Sequence, residues 1–92
     1  MVRMFRKGDK VLVIGVGRSG LATAHVLRSR GVRVMAYDDK PAELLSREAR
    51  ETLEQLRVPL VDEKGFESAV ESAKAAIVSP GFFSGNFAAP RR

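Results

Sequence analysis

Apolar residues along the chain follow two alternating spacings, each typical of one kind of secondary structure. Residues 11–14 (Val-Leu-Val-Ile) form an uninterrupted apolar run, which predicts a strand buried on both faces. Small and apolar residues then recur at i, i+3, i+4 and i+7 and predict one packing face of a helix: Gly20, Thr23, Ala24 and Leu27. Polar residues are expected on its opposite side: His25, Arg28 and Ser29. Gly31 suits the end of this helix.

The same alternation continues to residue 78. We expect three further strands, at residues 32–37, 58–61 and 75–78, and two further helices, at residues 45–56 and 66–73. The packing faces of these two helices comprise Leu45, Ala49, Leu53 and Leu56, then Phe66, Ala69, Val70 and Ala73. The third strand has the weakest pattern. Because Pro59 has no N–H to donate, it is expected only at the start of a strand or in an edge strand.

This order of elements predicts an α/β domain. Strands that alternate with helices favour a parallel sheet with right-handed crossovers and helices on both faces. We expect the strand order 3-2-1-4, incomplete at one edge, within a single Rossmann-like nucleotide-binding domain over residues 1–81. Residues 82–92 lack either periodicity and are expected to form an irregular tail.

A glycine-rich turn joins the first predicted strand to the first helix. Gly15 permits the tight turn, Gly17 lets a phosphate approach the backbone, and Gly20 allows the helix to pack closely. The first amides of the helix and its dipole attract an anion such as a diphosphate. Arg18 either adds a positive charge or points into solvent, and Ser19 either binds a phosphate or caps the helix. The alternative is a plain strand-turn-helix connection with convenient glycines.

Two more polar segments are expected at the same edge of the sheet. Residues 38–41 (Asp-Asp-Lys-Pro) follow the second strand, where the sugar or base of a nucleotide is bound in such folds. In a dinucleotide-binding protein Asp38 would accept the ribose hydroxyls, and the alternative is a polar turn before a helix. Ser79 and Gly81 follow the fourth strand, where they either face the same phosphate as Gly17 or form an ordinary turn.

Composition excludes several kinds of site. The chain has no cysteine and one histidine, so it offers no disulfide, no thiolate ligand and no cysteine nucleophile. Its formal net charge of +5 is spread over mixed-charge helices and two basic ends, which favours a solvated surface over nucleic-acid binding. No apolar stretch approaches the roughly 20 residues that cross a membrane, and no membrane partner is expected.

Two motifs together make the prediction more specific. Residues 17–22 (Gly-Arg-Ser-Gly-Leu-Ala) and residues 78–81 (Val-Ser-Pro-Gly) resemble the N-terminal domain of the UDP-N-acetylmuramoylalanine–D-glutamate ligases, with similarity over about residues 8–82. This resemblance implies a bacterial, cytoplasmic enzyme of peptidoglycan synthesis, and thus of cell division and cell shape. Such an enzyme joins D-glutamate to UDP-N-acetylmuramoyl-L-alanine and cleaves ATP to ADP.

In this family the first domain holds the UDP end of the substrate and does no chemistry. The resemblance places residues 17–19 at the diphosphate and residues 38–40 at the uracil, which reassigns Asp38 from a ribose to a uridine nucleotide. No catalytic, cofactor or metal residue is expected in this chain. The complete predicted UDP-binding set is Gly15, Gly17, Arg18, Ser19, Gly20, Asp38, Asp39, Lys40, Ser79 and Gly81.

The sequence departs from the family pattern after Gly81. It has no P-loop, and the ATP and magnesium sites and the amino-acid-binding domain of the full-length family are missing, so we expect the chain to be inactive alone. Its last residues do not continue into a further helix and strand, as expected of a truncated or frameshifted gene. Two alternatives remain: an NAD-binding module of a dehydrogenase fragment, and a non-enzymatic interaction domain with basic ends.

Overall fold

The computed structural model describes residues 5–79, which form four strands, three α-helices and one short 3₁₀ helix. Gly81 and the predicted tail at residues 82–92 lie outside the described residues. The strands are β1 (Lys10–Ile14), β2 (Arg33–Tyr37), β3 (Leu60–Val61) and β4 (Ala75–Val78). The helices are α1 (Arg18–Ser29), α2 (Arg47–Leu56) and α3 (Glu63–Ser72), and the 3₁₀ turn is Ala42–Leu44.

The four strands form one parallel sheet in the order β3-β2-β1-β4. In its register Leu12 of β1 lies opposite Met35 of β2 and Ala76 of β4. β1 is thus an interior strand, and Val11, Leu12 and Val13 of its apolar run are buried as the pattern predicted, while Ile14 is half-buried. The predicted fold class, an open Rossmann-like α/β sheet with strand order 3-2-1-4, is confirmed.

The core lies mainly between one face of the sheet and two of the helices. Val11 and Val13 share this face with Val34 and Ala36 of β2, and they pack with buried residues of α1 and α2. Alternate residues point to the opposite face, where the Tyr37 ring contacts Phe66 of α3 at a centroid distance of 4.4 Å. Helices therefore cover both faces. Each helix of the described part is too short and too polar to span a lipid bilayer.

Side-chain caps move the start of two helices away from the apolar pattern. The pattern of the second helix starts at Leu45, yet α2 begins only after Ser46, whose Oγ accepts a hydrogen bond from Ala49 N at 3.0 Å. The third helix starts earlier than its pattern, because the Asp62 carboxylate accepts from Gly65 N at 2.9 Å. Caps satisfy the first amides of a helix regardless of where its apolar face starts.

Two predictions about packing were wrong. Val70 was expected on the packing face of the third helix, but it is 41% exposed on α3. The third strand was predicted over residues 58–61, but β3 covers only Leu60–Val61 and pairs with β2 alone. Pro59 precedes it and contributes only its carbonyl, which accepts from Ala36 N at 2.9 Å.

Arg28 has a structural role that its position on the predicted polar side did not reveal. Its Nε donates to the carbonyl of Leu56 at 2.9 Å, and its Nη1 donates to the carbonyl of Val32 at 3.2 Å. The half-buried guanidinium therefore joins the ends of α1 and α2 to the start of β2. A positive charge at a helix C-terminus also interacts favourably with the negative end of the helix dipole.

We expect Arg28→Ala to lower the free energy of unfolding by about 1–2 kcal/mol, because two partly buried carbonyls lose a charged donor. The matched control is Arg30→Ala, which removes the same charge from an exposed position and should change stability by less than about 0.5 kcal/mol. Urea denaturation followed by circular dichroism measures both. Equal losses in the two variants would show that the bonds of Arg28 do not stabilise the fold.

Gly20 is where α1 packs most closely on the sheet. A Cβ atom at this residue would overlap the carbonyl oxygen of Gly15, so Gly20→Ala should cost about 1–3 kcal/mol or more of unfolding free energy. At Gly17 an added Cβ has no atom within 4 Å, and Gly17→Ala should cost less than about 1 kcal/mol. Urea denaturation of the two alanine variants tests this difference, and a stable Gly20→Ala protein would contradict it.

Candidate functional site

The turn between β1 and α1 has the conformation that its glycines permit. Gly15 is buried and has φ of +96°, a backbone conformation that side chains rarely adopt, and its N–H donates to the carbonyl of Tyr37 at 2.7 Å. Gly17 is exposed and is the N-cap residue of α1. The chain thus leaves the sheet at Gly15 and enters the helix two residues later.

The first turn of α1 presents backbone amides at the carboxyl edge of the sheet. The amide of Leu21 donates to the carbonyl of Gly17 at 2.9 Å, so the amides before it have no acceptor within the helix. No side chain caps this end and no acidic residue lies in its first turn. Arg18 and Ser19 are exposed there, and the alternative that Ser19 caps the helix is wrong. This arrangement favours an anion.

Ser79 lies beside the glycine-rich turn. Its N–H donates to the carbonyl of Ile14 at 2.8 Å, and Ile14 directly precedes Gly15. The side chain is only 3% exposed, and its Oγ has no hydrogen-bond partner among residues 5–79. A buried hydroxyl without a partner costs free energy, so it marks a position where a further polar group would be stabilised.

Asp38 connects the two loops of the site. One carboxylate oxygen, Oδ2, accepts from the amide of Val16 at 2.9 Å, and the other, Oδ1, accepts from the amide of Lys40 at 3.1 Å. The sequence predicted Asp38 as a ligand contact and did not reveal these backbone bonds. Asp39 and Lys40, by contrast, are exposed.

A cleft of about 450 Å³ opens between the ends of β2 and β3. Its walls combine an aromatic ring and apolar side chains with carboxylates, and they comprise Tyr37, Asp38, Asp39, Lys40, Pro41, Ala42, Leu60, Val61, Asp62 and Glu63. Burial raises the pKa of Tyr37, and the negative charges of Glu63, Asp39 and Asp38 raise it further, so the cleft is electronegative. No described residues form a group of three or more side chains that could hold a metal ion.

The structure brings the predicted residues together in two groups. Gly15, Gly17 and Ser79 lie around the glycine-rich turn, while residues 38–40 line the cleft, and Asp38 touches both groups. The predicted residue Gly81 lies outside the described residues. Sequence reasoning missed Tyr37 and residues 60–63, whose only signal was their position at strand ends.

The fold and the glycine-rich turn define this protein as a Rossmann-like α/β domain. No protein-family model matches the chain. Proteins named UDP-N-acetylmuramoylalanine–D-glutamate ligase do match it. The one from Caldicellulosiruptor saccharolyticus is 32% identical over 74 residues, which is 80% of this chain and 16% of the relative. That from Ruegeria pomeroyi is 40% identical over 78 residues, 80% of this chain and 14% of the relative.

A third protein of this name, from Acidobacterium capsulatum, is 51% identical over 49 residues, 53% of this chain and 11% of its own length. The predicted resemblance is confirmed: the comparisons indicate the family of UDP-N-acetylmuramoylalanine–D-glutamate ligases. The chain spans about one-sixth of the length of the first of these relatives.

The hydroxyl of Ser79, which finds no partner within residues 5–79, gives a test of the site that needs no ligand. Ser79→Ala should leave the free energy of unfolding unchanged or raise it by up to about 1 kcal/mol, because a buried oxygen without a partner is removed. The control is Ser46→Ala, which removes a bonded N-cap oxygen and should cost about 0.5–2 kcal/mol. Urea denaturation measures both, and a clear loss of stability in Ser79→Ala would show that its hydroxyl is satisfied.

Proposed function

We propose that this chain binds the UDP end of UDP-N-acetylmuramoyl-L-alanine, within an enzyme that adds D-glutamate during bacterial peptidoglycan synthesis. The observation that carries the proposal is the buried hydroxyl of Ser79, which has no partner among the described residues, at the same edge of the sheet as the uncapped start of α1. The Ser79 N–H bonds the carbonyl of Ile14, directly before the glycine-rich turn, so the two features lie at the same edge of the sheet. The similarity to the ligases supports this choice of nucleotide.

The diphosphate is proposed to lie against the glycine-rich turn. Backbone amides of Arg18, Ser19 and Gly20 supply donors, and the helix dipole adds roughly half a positive charge. The Ser79 hydroxyl, directly after β4, is proposed to supply a further donor, and Arg18 is exposed as the first residue of α1. Gly17 leaves open space where a side chain would otherwise stand, because an added Cβ meets no atom within 4 Å.

The uridine is proposed to occupy the cleft beyond β2. Tyr37, Leu60 and Val61 give it an aromatic and apolar wall, and residues 38–40 give polar groups for the base. The carboxylates of this cleft repel phosphate, whereas the start of α1 attracts it. The distribution of charge therefore orients a nucleotide with its base in the cleft and its phosphates on the turn.

An NAD-binding module is the second candidate, because Asp38 follows β2 as the ribose-binding acid of dinucleotide-binding domains does. Each oxygen of this carboxylate accepts one backbone N–H bond and keeps a second lone pair for a ribose hydroxyl of either nucleotide. The similarity to the ligases favours UDP over NAD. A non-enzymatic interaction domain would bind neither nucleotide.

ATP and magnesium are implied for the full-length family, but the described residues do not fit them. There is no P-loop in the sequence, and no group of side chains in residues 5–79 could hold the metal. Phosphoryl transfer and binding of D-glutamate are therefore proposed for other parts of a cytoplasmic ligase. Residues of this chain would hold and orient the nucleotide substrate.

A thermal-shift panel with UDP, UDP-N-acetylmuramoyl-L-alanine, NAD, NADP and ATP tests the proposal. We expect the two uridine compounds to raise Tm most, because they are the proposed ligands. A ligand at about 100 times its Kd stabilises the native state by about 2.7 kcal/mol. Gly17→Val should remove the shift, since its side chain would fill the phosphate position without meeting the protein's own atoms. Ala22→Val, at an exposed position of α1, is the control that should keep it.

The panel also separates the alternatives. A larger shift with NAD than with UDP would favour the dehydrogenase module. No shift with any nucleotide would favour the interaction domain, and an unchanged UDP shift in a folded Gly17→Val protein would place the site elsewhere.

A further inference from the structure

The bond between Asp38 and Val16 extends the β1–β2 pairing past the end of the strands. Ile14 is the last residue of β1 and lies opposite Tyr37, and Gly15 still donates its N–H to the Tyr37 carbonyl at 2.7 Å. At Gly15 the backbone turns away with φ of +96°. The next amide, that of Val16, is bonded instead by a side-chain oxygen of Asp38 at 2.9 Å.

Val16 fixes one side of this connection. Its side chain is 4% exposed and belongs to the core cluster between the sheet and the helices α1 and α2. Its amide would be costly to leave without an acceptor in such a position. The carboxylate thus orients the backbone immediately before Gly17, the N-cap residue from which the amides of α1 begin.

The second oxygen of the same carboxylate fixes the other loop. Oδ1 accepts from the amide of Lys40, two residues further along the chain, at 3.1 Å. This bond shapes the start of the segment that lines the cleft beside Tyr37. One carboxylate therefore holds the glycine-rich turn and the cleft segment in a fixed relation.

We infer that Asp38 is a positioning residue, which aligns the anion site at the start of α1 with the cleft by binding the backbone amides of Val16 and Lys40. Its part in ligand binding rests on the proposed function; its part in holding the turn does not. Asp38 acts through its two hydrogen bonds to the backbone, and the inference involves no direct contact between Asp38 and phosphate.

The effect of a substitution on anion binding distinguishes a positioning role of Asp38 from a purely electrostatic role. A carboxylate near an anion site weakens anion binding through repulsion, so removal of a negative charge alone should tighten the binding of inorganic pyrophosphate. Loss of a positioning residue should weaken it instead, because the turn no longer holds its amides in place. Asp39 supplies the matched control, since it is the exposed neighbouring carboxylate and makes no side-chain hydrogen bond in the described part.

Calorimetric titration of the 92-residue chain with inorganic pyrophosphate and with UDP measures the ligand part. We expect Asp38→Ala to weaken both affinities about tenfold or more, and Asp38→Asn, which keeps one acceptor oxygen, to weaken them less. Asp39→Ala should bind pyrophosphate as well as the parent chain or better. Equal or tighter pyrophosphate binding by a folded Asp38→Ala protein would overturn the inference.

Amide hydrogen exchange tests the same inference without ligand. In Asp38→Ala, or in Asp38→Asn if the alanine variant does not fold, the amide of Val16 should exchange at least about tenfold faster than in the parent chain. The amide of Leu12 in β1 should be unchanged. Unchanged exchange at Val16 would overturn the inference. If the parent chain binds neither UDP nor pyrophosphate, the proposed function fails, and the exchange of Val16 still decides whether Asp38 holds the turn.

Discussion

The close contact between Gly15 and Gly20 is the constraint on which the site depends. Because no side chain separates them, the first turn of α1 rests directly against the end of β1. β1 is an interior strand, with β2 on one side and β4 on the other. The start of α1 therefore lies at the edge where Asp38 and Ser79 follow their strands, and the Asp38 carboxylate accepts a hydrogen bond from the turn that leads into this helix.

Much of the fold could be predicted because buried positions are occupied by apolar or small residues at regular spacings. The apolar run of β1 and the small-residue face of α1 each reflect the surfaces they cover. The site was predicted in outline for a similar reason, since the glycines at 15 and 20 are required by backbone geometry. The need for glycine at these two positions arises within a segment of six residues, so it can be recognised from the local sequence.

The remaining roles depend on partners that are distant in the sequence. An aspartate after β2 has the same pattern whether it binds a nucleotide or, like Asp38, the backbone 22 residues away. An arginine on the polar side of a helix likewise has the same pattern in solvent as on two carbonyls, where Arg28 lies. The partners in both cases are backbone groups, N–H donors for Asp38 and carbonyl acceptors for Arg28, which nearly every residue offers, so no sequence pattern could single them out.

The two edges of the sheet differ in how fully their polar groups are satisfied, and this difference supports the carboxyl edge as the functional one. At the amino edge Lys74 pairs with Asp9 at 3.3 Å. The pKa of that carboxyl is lowered mainly by a hydrogen bond from the Arg6 backbone, with a further contribution from Lys74. The charged groups at the amino edge of the sheet are thus stabilised by partners within the protein.

The carboxyl edge carries the opposite kind of feature. It has a buried hydroxyl at Ser79 that finds no partner among residues 5–79, an uncapped helix start, and a cleft where burial, and then nearby carboxylates, raise the pKa of Tyr37. The hydroxyl without a partner and the uncapped helix start each lower the stability of a small domain in which the whole free energy of folding is only about 5–15 kcal/mol. Local departures from good structure concentrate where function requires them. An anionic nucleotide would satisfy the donors around the turn, and thus the features that destabilise the unliganded edge are the ones that would bind it.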